Sequence, residues 1–389
     1  MNFVLNRSIV AELRSHIEER QWAMLDFTRA LVECESPSGD AEGSRCVVEL
    51  LESETRKLDA VSSVERVEIP GYGEHFRVRL FDDGKRARTT LVLGHTDTVH
   101  PHGSIAERPW REENGRIYAP GIFDMKVNCA LALEALRALC ALSLKPSRPL
   151  VLLLTCDEEA GSATGRALVE EEAARAESVL VIEPSASGGR AKTARKGTSL
   201  YTMEVYGRAA HAGLDPERGA SAITELARQT IRLAGLQDLS RGTTINVGRV
   251  EGGTASNVVA AHARAEIDVR FSTMAEAVRV ERELKLSKTF DDRVRLMVEG
   301  GVNRPPLERT EGVVRLYEKA REVAALLDIN LGETSVGGAS DGNFAAAMGA
   351  DVLDGLGVEG DGAHSAHEHI LTDRIAERGA LLASLIATL

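Results

Sequence analysis

The sequence of 389 residues lacks features that mark several classes of protein. It has no run of about 18 apolar residues, which a membrane span would need. It has no basic tail or block, and its net charge of −12 disfavours nucleic acid and anionic membranes as partners. A small anionic substrate remains compatible with this charge, because a few arginines can dominate the field locally.

Cysteine motifs are also missing. No two cysteines have CxxC spacing, and the five are odd in number and scattered: Cys34, Cys46, Cys129, Cys140 and Cys156. The sequence therefore predicts free thiols in a reducing compartment rather than a disulfide framework. Residues 1–20 lack the unbroken apolar core of a signal peptide, so we expect a cytoplasmic protein.

Apolar runs with the length of buried strands are present. The chain length predicts two or three domains, and a hydrophobic content of 43% is enough for a sizeable core. The runs at 90–94, 149–155 and 178–182 are typical of strands buried on both faces. They alternate with helical patterns over 127–141 and 161–176. This order predicts an α/β fold with a mostly parallel, helix-covered sheet.

The pattern changes between residues 198 and 304. The elements predicted there follow the order βαββαβ of a ferredoxin-like α+β unit. We interpret 198–304 as an inserted domain. Residues 1–197 and 305–389 then form the domain that carries the parallel sheet, and Pro305-Pro306 marks the return to it.

Polar residues with metal-binding side chains follow the predicted strands, where open α/β sheets bind their ligands. His95 and Asp97 share one face of an extended chain, so the aspartate can orient the histidine. The further candidates at such loop positions are Asp124, Glu158, Glu159, Glu183 and His364. So many buried carboxylates need a compensating cation. Imidazoles and carboxylates together suit Zn, Co or Mn, with Zn the commonest.

These candidates lie in stretches that resemble the M20 family of di-metal peptidases and amidohydrolases, and within it the glutamate carboxypeptidases. The matching stretches are Gly94-His-Thr-Asp-Thr98, Gly121-Ile-Phe-Asp-Met-Lys126, Asp157-Glu-Glu159, Ile182-Glu-Pro184, His211-Ala-Gly213, Ser256-Asn257, Asp268-Val-Arg270, Gly338-Ala-Ser-Asp341 and Gly362-Ala-His-Ser365. They follow the family order from about residue 90 to 370. The resemblance implies a zinc-exopeptidase-like fold with two bound divalent metals, and an inserted domain that serves as dimerisation domain and lid.

The resemblance also implies how the metals are held. His95 and Glu183 would hold one ion, and Glu159 and His364 the other. Asp124 would bridge both ions. Two other histidines, His367 and His369, lie close to His364, but the glycine-rich loop before His364 favours His364 as the ligand.

Two further residues of this domain receive catalytic roles from the resemblance. Glu158 would be the general base, and Asp97 would orient His95. Taken alone, Glu158-Glu159 could be a solvated helix start, where acidic residues are favoured; the other candidate ligands favour the catalytic interpretation. The family also implies a cis peptide bond between Asp124 and Met125. The chain departs from the family at Val127-Asn128, where two glycines are common, and this leaves the local backbone open.

Three residues of the inserted domain complete the implied site. His211 would reach the active site of the partner subunit and polarise the scissile carbonyl. Arg270 would bind a substrate carboxylate with its planar fork, and Asn257 is a candidate donor to the substrate. Taken alone, His211 would be an ordinary loop histidine. For Arg270, a surface ion pair is the alternative to the substrate contact.

We therefore expect a cytoplasmic, dimeric, di-zinc hydrolase that cleaves an amide bond and releases a C-terminal amino acid, glutamate or a relative. An N-acyl-amino-acid deacylase, of the acetylornithine deacetylase or succinyl-diaminopimelate desuccinylase type, would use the same metals, so the motifs do not separate the two. A metal-binding protein without catalysis is a third hypothesis, against which the intact Glu158 argues.

Overall fold

The computed structural model describes residues 5–82, 84 and 88–389. These residues form two compact units. Unit 1 comprises Met1–Ala194, Arg309–Ser335 and Ser340–Leu389, and unit 2 comprises Arg195–Glu308 and Val336–Ala339. Unit 2 thus begins slightly before the predicted insertion, 198–304, ends slightly after it, and takes in four more residues further along the chain.

The elements of the described residues are as follows. The helices are α1 (Arg7–Glu33), α2 (Ala41–Thr55), α3 (Ser104–Glu107), α4 (Val127–Ala141), α5 (Arg166–Arg175), α6 (Ala222–Ala234), α7 (Met274–Lys285), α8 (Glu311–Leu326), α9 (Gly342–Ala347) and α10 (Ile375–Thr388). The strands are β1 (Val61–Ile69), β2 (Gly73–Leu80), β3 (Thr89–His95), β4 (Arg111–Glu113), β5 (Arg116–Tyr118), β6 (Leu150–Thr155), β7 (Ala176–Val181), β8 (Ala191–Arg195), β9 (Gly197–Tyr206), β10 (Thr244–Gly252), β11 (His262–Phe271), β12 (Arg295–Arg304), β13 (Glu333–Val336), β14 (Asp351–Leu353), β15 (Gly360–Asp361) and β16 (His369–Leu371).

Unit 1 is built on a six-stranded sheet with the order β1-β2-β6-β3-β7-β14. Strands β6, β3, β7 and β14 are parallel, and the pair β1 and β2 adds an antiparallel edge. Every residue of β6 is buried, as expected for a continuous apolar strand that is covered on both faces. The predicted α/β class with a mostly parallel sheet is confirmed.

Helices α1, α4 and α10 pack against one another in the core of unit 1. Gly379 in α10 permits this approach, because a Cβ atom there would lie 3.0 Å from Ile17 and 3.1 Å from Leu131. Helix α4 is buried along most of its length. A buried helix cannot move without disturbing the core, so it is a rigid anchor for the residues that immediately precede it.

Unit 2 is a four-stranded antiparallel sheet with the order β10-β11-β9-β12 and the two helices α6 and α7. The elements run βαββαβ along the chain, the order of a ferredoxin-like unit. Strand β11 alternates strictly between buried and half-exposed residues after its first position. Its apolar face, from Ala263 to Phe271, packs into the core of the unit, and its polar face carries Arg264, Glu266, Asp268 and Arg270.

The structure corrects the cysteine prediction. Cys34 ends α1 and Cys46 lies in α2, and the two form a disulfide bond. The loop at 35–40 turns the chain back so that the two helices meet, which sequence spacing alone does not reveal. The remaining cysteines, Cys129, Cys140 and Cys156, are thiols.

The region at 99–120 contains the short strands β4 and β5, which pair in one sheet with β16 and β15. Strands of two or three residues show no periodicity that a sequence pattern could reveal.

Among the described residues, the helices are too short or too polar to cross a membrane.

Candidate active site

Three neighbouring parallel strands deliver candidate ligands to one edge of the sheet. His95 is the last residue of β3, Glu158 and Glu159 follow β6, and Glu183 follows β7. Because β6, β3 and β7 are adjacent and parallel, their carboxyl ends lie side by side. The strands are fixed by their buried apolar residues, so the side chains at their ends start from stiff positions.

Asp124 reaches the same place from an irregular turn, Ile122–Lys126, directly before the buried helix α4. Its backbone is extended rather than helical, and the peptide bond between Asp124 and Met125 is cis, as the family resemblance implies. Gly94 allows the turn to approach β3, because a Cβ atom there would lie 2.7 Å from Met125 Cε.

The imidazoles of His95 and His364 each lie close to a different oxygen of the Asp124 carboxylate. His95 Nε2 lies 3.2 Å from Asp124 Oδ1 and 3.5 Å from Glu183 Oε1. His364 Nε2 lies 3.3 Å from Asp124 Oδ2 and 3.1 Å from Glu159 Oε1. One ligand atom each from His95, Asp124 and Glu159 lie within 4.8 Å of one another, which makes this group a candidate metal site. Asp124 is the residue that both histidines share.

The carboxylates make this site favourable for positive charge. Hydrogen bonds to Asp124 and Glu159 raise the pKa of His364 to about 10. Burial lowers the pKa of His95, but its bonds to Asp124, Asp97 and Glu183 outweigh that and hold it well above its usual value. A cation that replaced these protons would meet the same stabilising field.

Asp97 connects the metal-binding side chains to the turn after β6. Its carboxylate accepts hydrogen bonds from the amides of Glu158 (3.1 Å) and Glu159 (3.0 Å) and from the hydroxyl of Ser38 (2.5 Å). His95 Nδ1 lies 3.0 Å from the Asp97 carbonyl oxygen and 3.4 Å from its Oδ1. Ser38 had no predicted role, because its turn gives no sign of this contact.

The turn that carries Glu158 is itself held by buried acidic residues. Asp157 accepts hydrogen bonds from Thr164 N (2.6 Å) and Thr164 Oγ1 (2.8 Å). Asp341 accepts from Thr155 Oγ1 at 2.8 Å and from Ser162. Glu158 is only 7% exposed, which argues against the solvated helix start as its explanation.

The departure at Asn128 has a structural explanation. Asn128 is fully buried, its Oδ1 accepts from Val358 N (2.9 Å), and its Nδ2 donates to Phe123 O (3.4 Å). A Cβ atom at Gly357 would lie 2.5 Å from this amide group, so the two residues are matched in size. The nearby Lys126 is also buried, and its Nζ donates to the carbonyls of Leu31 and Cys34.

Glu368 contacts the site although its sequence position predicts no role for it. Its buried carboxylate accepts hydrogen bonds from His100 and from backbone amides of the turn that carries Asp124. Nothing in the sequence signals these contacts, because most donors are backbone groups and the partners are far apart along the chain.

The residues predicted in the inserted domain all lie in unit 2. His211 is exposed, and its Nδ1 accepts hydrogen bonds from the amides of Gly213 (3.1 Å) and Leu214 (3.2 Å). The neutral ring therefore carries its proton on Nε2, which can donate to a carbonyl. Asn257 lies at the same corner, because its carbonyl accepts from Ala212 N.

Arg270 lies at the other end of β11 and is already paired. Its Nε and Nη2 donate to the two carboxylate oxygens of Asp268 at 2.8 and 2.9 Å. At about 3.3 Å per residue, β11 separates Arg270 from His262, beside the His211 corner, by about 26 Å. Arg270 and His211 of one chain therefore lie far apart within unit 2.

A mostly parallel sheet with two histidines and three carboxylates gathered at its carboxyl edge is typical of a metal-dependent hydrolase. The particular family follows from comparison with known proteins. Residues 91–388 match Peptidase family M20/M25/M40, so the chain belongs to this family and is an M20 metallohydrolase. The resemblance derived from the motifs is thereby confirmed.

Individual relatives agree with this assignment. Carboxypeptidase G2 of Pseudomonas sp. (strain RS-16) is 30% identical over 383 residues, which cover 95% of this chain and 90% of the relative. Acetylornithine deacetylase of Myxococcus xanthus is 35% identical over 241 residues, covering 56% of this chain and 61% of the relative. The crystal structure of aminopeptidase PepT from Bacillus cereus ATCC 10987 superposes with a TM-score of 0.76 at 23% identity, covering 94% of this chain and 97% of that one.

Proposed function

We propose that the chain is a di-zinc carboxypeptidase of the glutamate type. It hydrolyses the amide bond that joins a C-terminal amino acid, glutamate or a relative, to an acyl or peptidyl group. The observation that carries the proposal is the position of Asp124 between His95 and His364, together with the buried Glu158 that precedes Glu159 in the chain.

The residues present fit two divalent ions. The proposal assigns His95 and Glu183 to one ion, Glu159 and His364 to the other, and Asp124 to both. Nitrogen and oxygen donors in this mixture suit Zn²⁺, and Co²⁺ and Mn²⁺ are the alternatives. Two such ions supply Lewis acidity, which polarises a carbonyl group and lowers the pKa of water.

The protein's own groups then move the proton and hold the geometry. Glu158 takes a proton from the attacking water and passes it to the leaving amine, the two halves of general base and general acid catalysis. Asp97 fixes the orientation of His95 through Nδ1 and accepts a hydrogen bond from the amide of Glu158. The distance between the metal ligand His95 and the base Glu158 is thereby held constant.

The proposed homodimer uses a surface of unit 2. Helix α6 exposes an apolar stripe, with Ile223 46% and Ile231 76% exposed and Ala227 and Ala234 between and beyond them. Strand β10 is an edge of its sheet and neighbours α6. A second copy related by a twofold axis can pair edge with edge and stripe with stripe.

The distance between Arg270 and His211 supports an arrangement across two chains. A dipeptide spans only about 7 Å when extended, against the separation of about 26 Å along β11. One chain therefore cannot place both side chains at one scissile bond. We propose that Arg270 binds the substrate carboxylate, and that His211, with Asn257 beside it, is contributed by the partner subunit to polarise the carbonyl.

An N-acyl-amino-acid deacylase is the second candidate. The observation that favours it is the 35% identity to an acetylornithine deacetylase, although the match covers only 56% of this chain. The match to a carboxypeptidase covers 95% of the chain and includes unit 2, where the proposed substrate-binding residues lie. For this reason we place the carboxypeptidase first.

Metal analysis with a substrate screen tests the proposal. We expect close to two divalent ions per chain, loss of activity on chelation with retention of the circular dichroism spectrum, and recovery on adding Zn²⁺. Peptidyl and N-acyl glutamates should be hydrolysed faster than N-acetylornithine and N-succinyl-diaminopimelate; the reverse order would make the deacylase the better account. Full activity with one ion, or with none, would contradict the di-metal site.

A further inference from the structure

Glu368 is a buried carboxylate with four hydrogen-bond donors. Its Oε1 accepts from the amides of Phe123 (2.8 Å) and Asp124 (3.0 Å). Its Oε2 accepts from the amide of Gly121 (2.8 Å) and from His100 Nε2 (2.6 Å). Glu368 is 2% exposed, so these donors replace the water that a carboxylate would otherwise need.

The second nitrogen of His100 defines the direction of its bond. Arg108 Nη2 lies 3.3 Å from His100 Nδ1, and an arginine can only donate. His100 Nδ1 is therefore the acceptor, and Nε2 carries the proton that goes to Glu368. All four groups that contact the carboxylate of Glu368 are thus hydrogen-bond donors, which suits the acceptor oxygens of a carboxylate.

The backbone that Glu368 holds is irregular. Within Ile122–Lys126, both Asp124 and Met125 have non-helical backbone angles, so their segment does not form the regular hydrogen bonds of a helix. Backbone amides that are buried need a partner. The carboxylate of Glu368 is the acceptor for three of these amides, those of Gly121, Phe123 and Asp124.

Glu368 also belongs to the segment that carries His364. It lies four residues after His364, immediately before β16, which pairs with β5. One short segment therefore provides the His364 imidazole and the carboxylate that fixes the backbone of Asp124. His364 Nε2 and Asp124 Oδ2 are 3.3 Å apart, so any shift of the turn against this segment would change the spacing of these two side chains.

We propose that Glu368 is a positioning residue, which fixes Asp124 relative to His364 and thereby sets the geometry of the metal centre. This inference rests on the proposed di-metal function. It gives Glu368 a role through Asp124, without contact to metal or substrate. A merely structural role would instead make Glu368 an anchor of the loop whose loss lowers stability alone.

The substitution Glu368→Gln distinguishes the two roles. Glutamine has nearly the same shape but one acceptor oxygen, so its amide nitrogen must face at least one backbone N–H group. The matched control is Glu172→Gln, because Glu172 is also fully buried and accepts from two arginines, Arg77 (2.8 Å) and Arg79 (2.6 Å). Both variants lose a buried carboxylate, but only Glu368 contacts the turn of Asp124.

The measurements are Co²⁺ titration of the metal-stripped protein, the visible spectrum of the Co²⁺ protein, and the steady-state constants. We expect Glu368→Gln to weaken Co²⁺ binding by about 10- to 100-fold, to change the spectrum, and to lower kcat more than it raises KM. Glu172→Gln should lower the melting temperature and leave the Co²⁺ affinity and spectrum unchanged. A Glu368→Gln protein that behaves like Glu172→Gln would overturn the inference.

A further variant covers the case in which Glu368→Gln does not fold. His100→Ala removes one donor and leaves the three backbone bonds, so it should fold and shift the Co²⁺ affinity and spectrum in the same direction by a smaller factor. An unchanged affinity and spectrum in that variant would overturn the inference. If the wild type itself binds no Co²⁺, the proposed di-metal function fails instead, and the two failures are distinct.

Discussion

Asp97 holds Glu158 by its backbone: the amide of Glu158 donates to Asp97 Oδ1 at 3.1 Å. The other carboxylate oxygen accepts the next amide, that of Glu159, at 3.0 Å. These two main-chain bonds hold the turn, and they do not involve the end of the Glu158 side chain. A change confined to the end of that side chain should leave the turn and the metal-binding residues in place.

Glu158→Gln should for this reason keep the fold and the bound metal but lose turnover. The amide is nearly isosteric with the carboxylate and cannot accept a proton from water. General base catalysis contributes about 10²- to 10⁴-fold, and the loss in kcat should reach this range, measured with metal content on the same preparation. Glu170→Gln, which removes a surface pair with Arg166, is the control that should stay active. A Glu158→Gln enzyme with a near-normal rate would require another base.

His211→Ala should lower kcat without changing the metal content. The Nε2 proton of His211 is directed by the two amides that occupy Nδ1, and one donor to a developing oxyanion is worth about 10²- to 10³-fold. His262→Ala is the matched control, because His262 is an exposed histidine of the same unit that packs beside Tyr206. We expect that variant to keep its activity.

Mixing two inactive variants tests whether His211 acts across the dimer. If subunits of His211→Ala and Glu158→Gln exchange at random, half of the dimers are mixed, and one site in each has both groups. Activity should then recover to about a quarter of the wild-type value in a symmetric dimer. Exchange without recovery would show that His211 does not act in the partner's site.

The sequence indicated the site best where strands end. His95 and Glu183 follow apolar runs that are recognisable alone, and the parallel order of those strands places their ends together. Asp124 was located by its motif rather than by periodicity, since its turn is irregular. The strands β6 and β7 agree closely with the predicted runs because burial on both faces leaves a continuous apolar signal.

Other contacts could not be predicted because their physical cause lies in the tertiary fold. Glu368 accepts three backbone amides, and a backbone donor leaves no trace in the sequence. Ser38 meets Asp97 only because a loop returns to β3. Cys34 and Cys46 lie on two helices whose crossing decides their pairing. The pairing of Arg270 with Asp268 is local, two residues apart on one face of a strand, and in principle was visible.

The disulfide between Cys34 and Cys46 should be measurable as a contribution to stability. The two cysteines are 12 residues apart in the sequence. A disulfide that closes such a loop restricts the unfolded chain and stabilises the folded protein by about 2–3 kcal/mol. Peptide mapping without reductant should find the two cysteines joined, and Cys34→Ser should lower the free energy of unfolding by that amount in denaturant titrations. Cys140→Ser, at a thiol that forms no disulfide, is the control. Equal free energies of unfolding for the oxidised protein and Cys34→Ser would contradict a stabilising disulfide. The cytoplasmic location stays a prediction, and peptide mapping of the protein taken directly from cells would test it.

The pairing of Arg270 with Asp268 shapes the test of substrate specificity. The bidentate contact uses Nε and one hydrogen of Nη2. An arginine has five N–H donors, so Nη1 and the second hydrogen of Nη2 can form a second paired contact with a substrate carboxylate. Asp268 would then orient the guanidinium rather than compete with the substrate. Its replacement by asparagine, which keeps one acceptor oxygen, should raise KM with little effect on kcat.

Arg270→Lys should lower kcat/KM for a free-acid substrate by about 10- to 100-fold, because a charge-assisted paired contact is worth about 1.5–3 kcal/mol and lysine cannot form it. Amidating the C-terminal carboxylate of the substrate should cost the wild type a similar factor. The same amidation should cost Arg270→Ala almost nothing further, since the contact is already lost. Arg264→Lys, on the same face of β11, is the control and should respond to amidation like the wild type. If the wild type hydrolyses amidated and free-acid substrates equally well, Arg270 does not bind a substrate carboxylate. An amidohydrolase that recognises another group then becomes the better account of this chain.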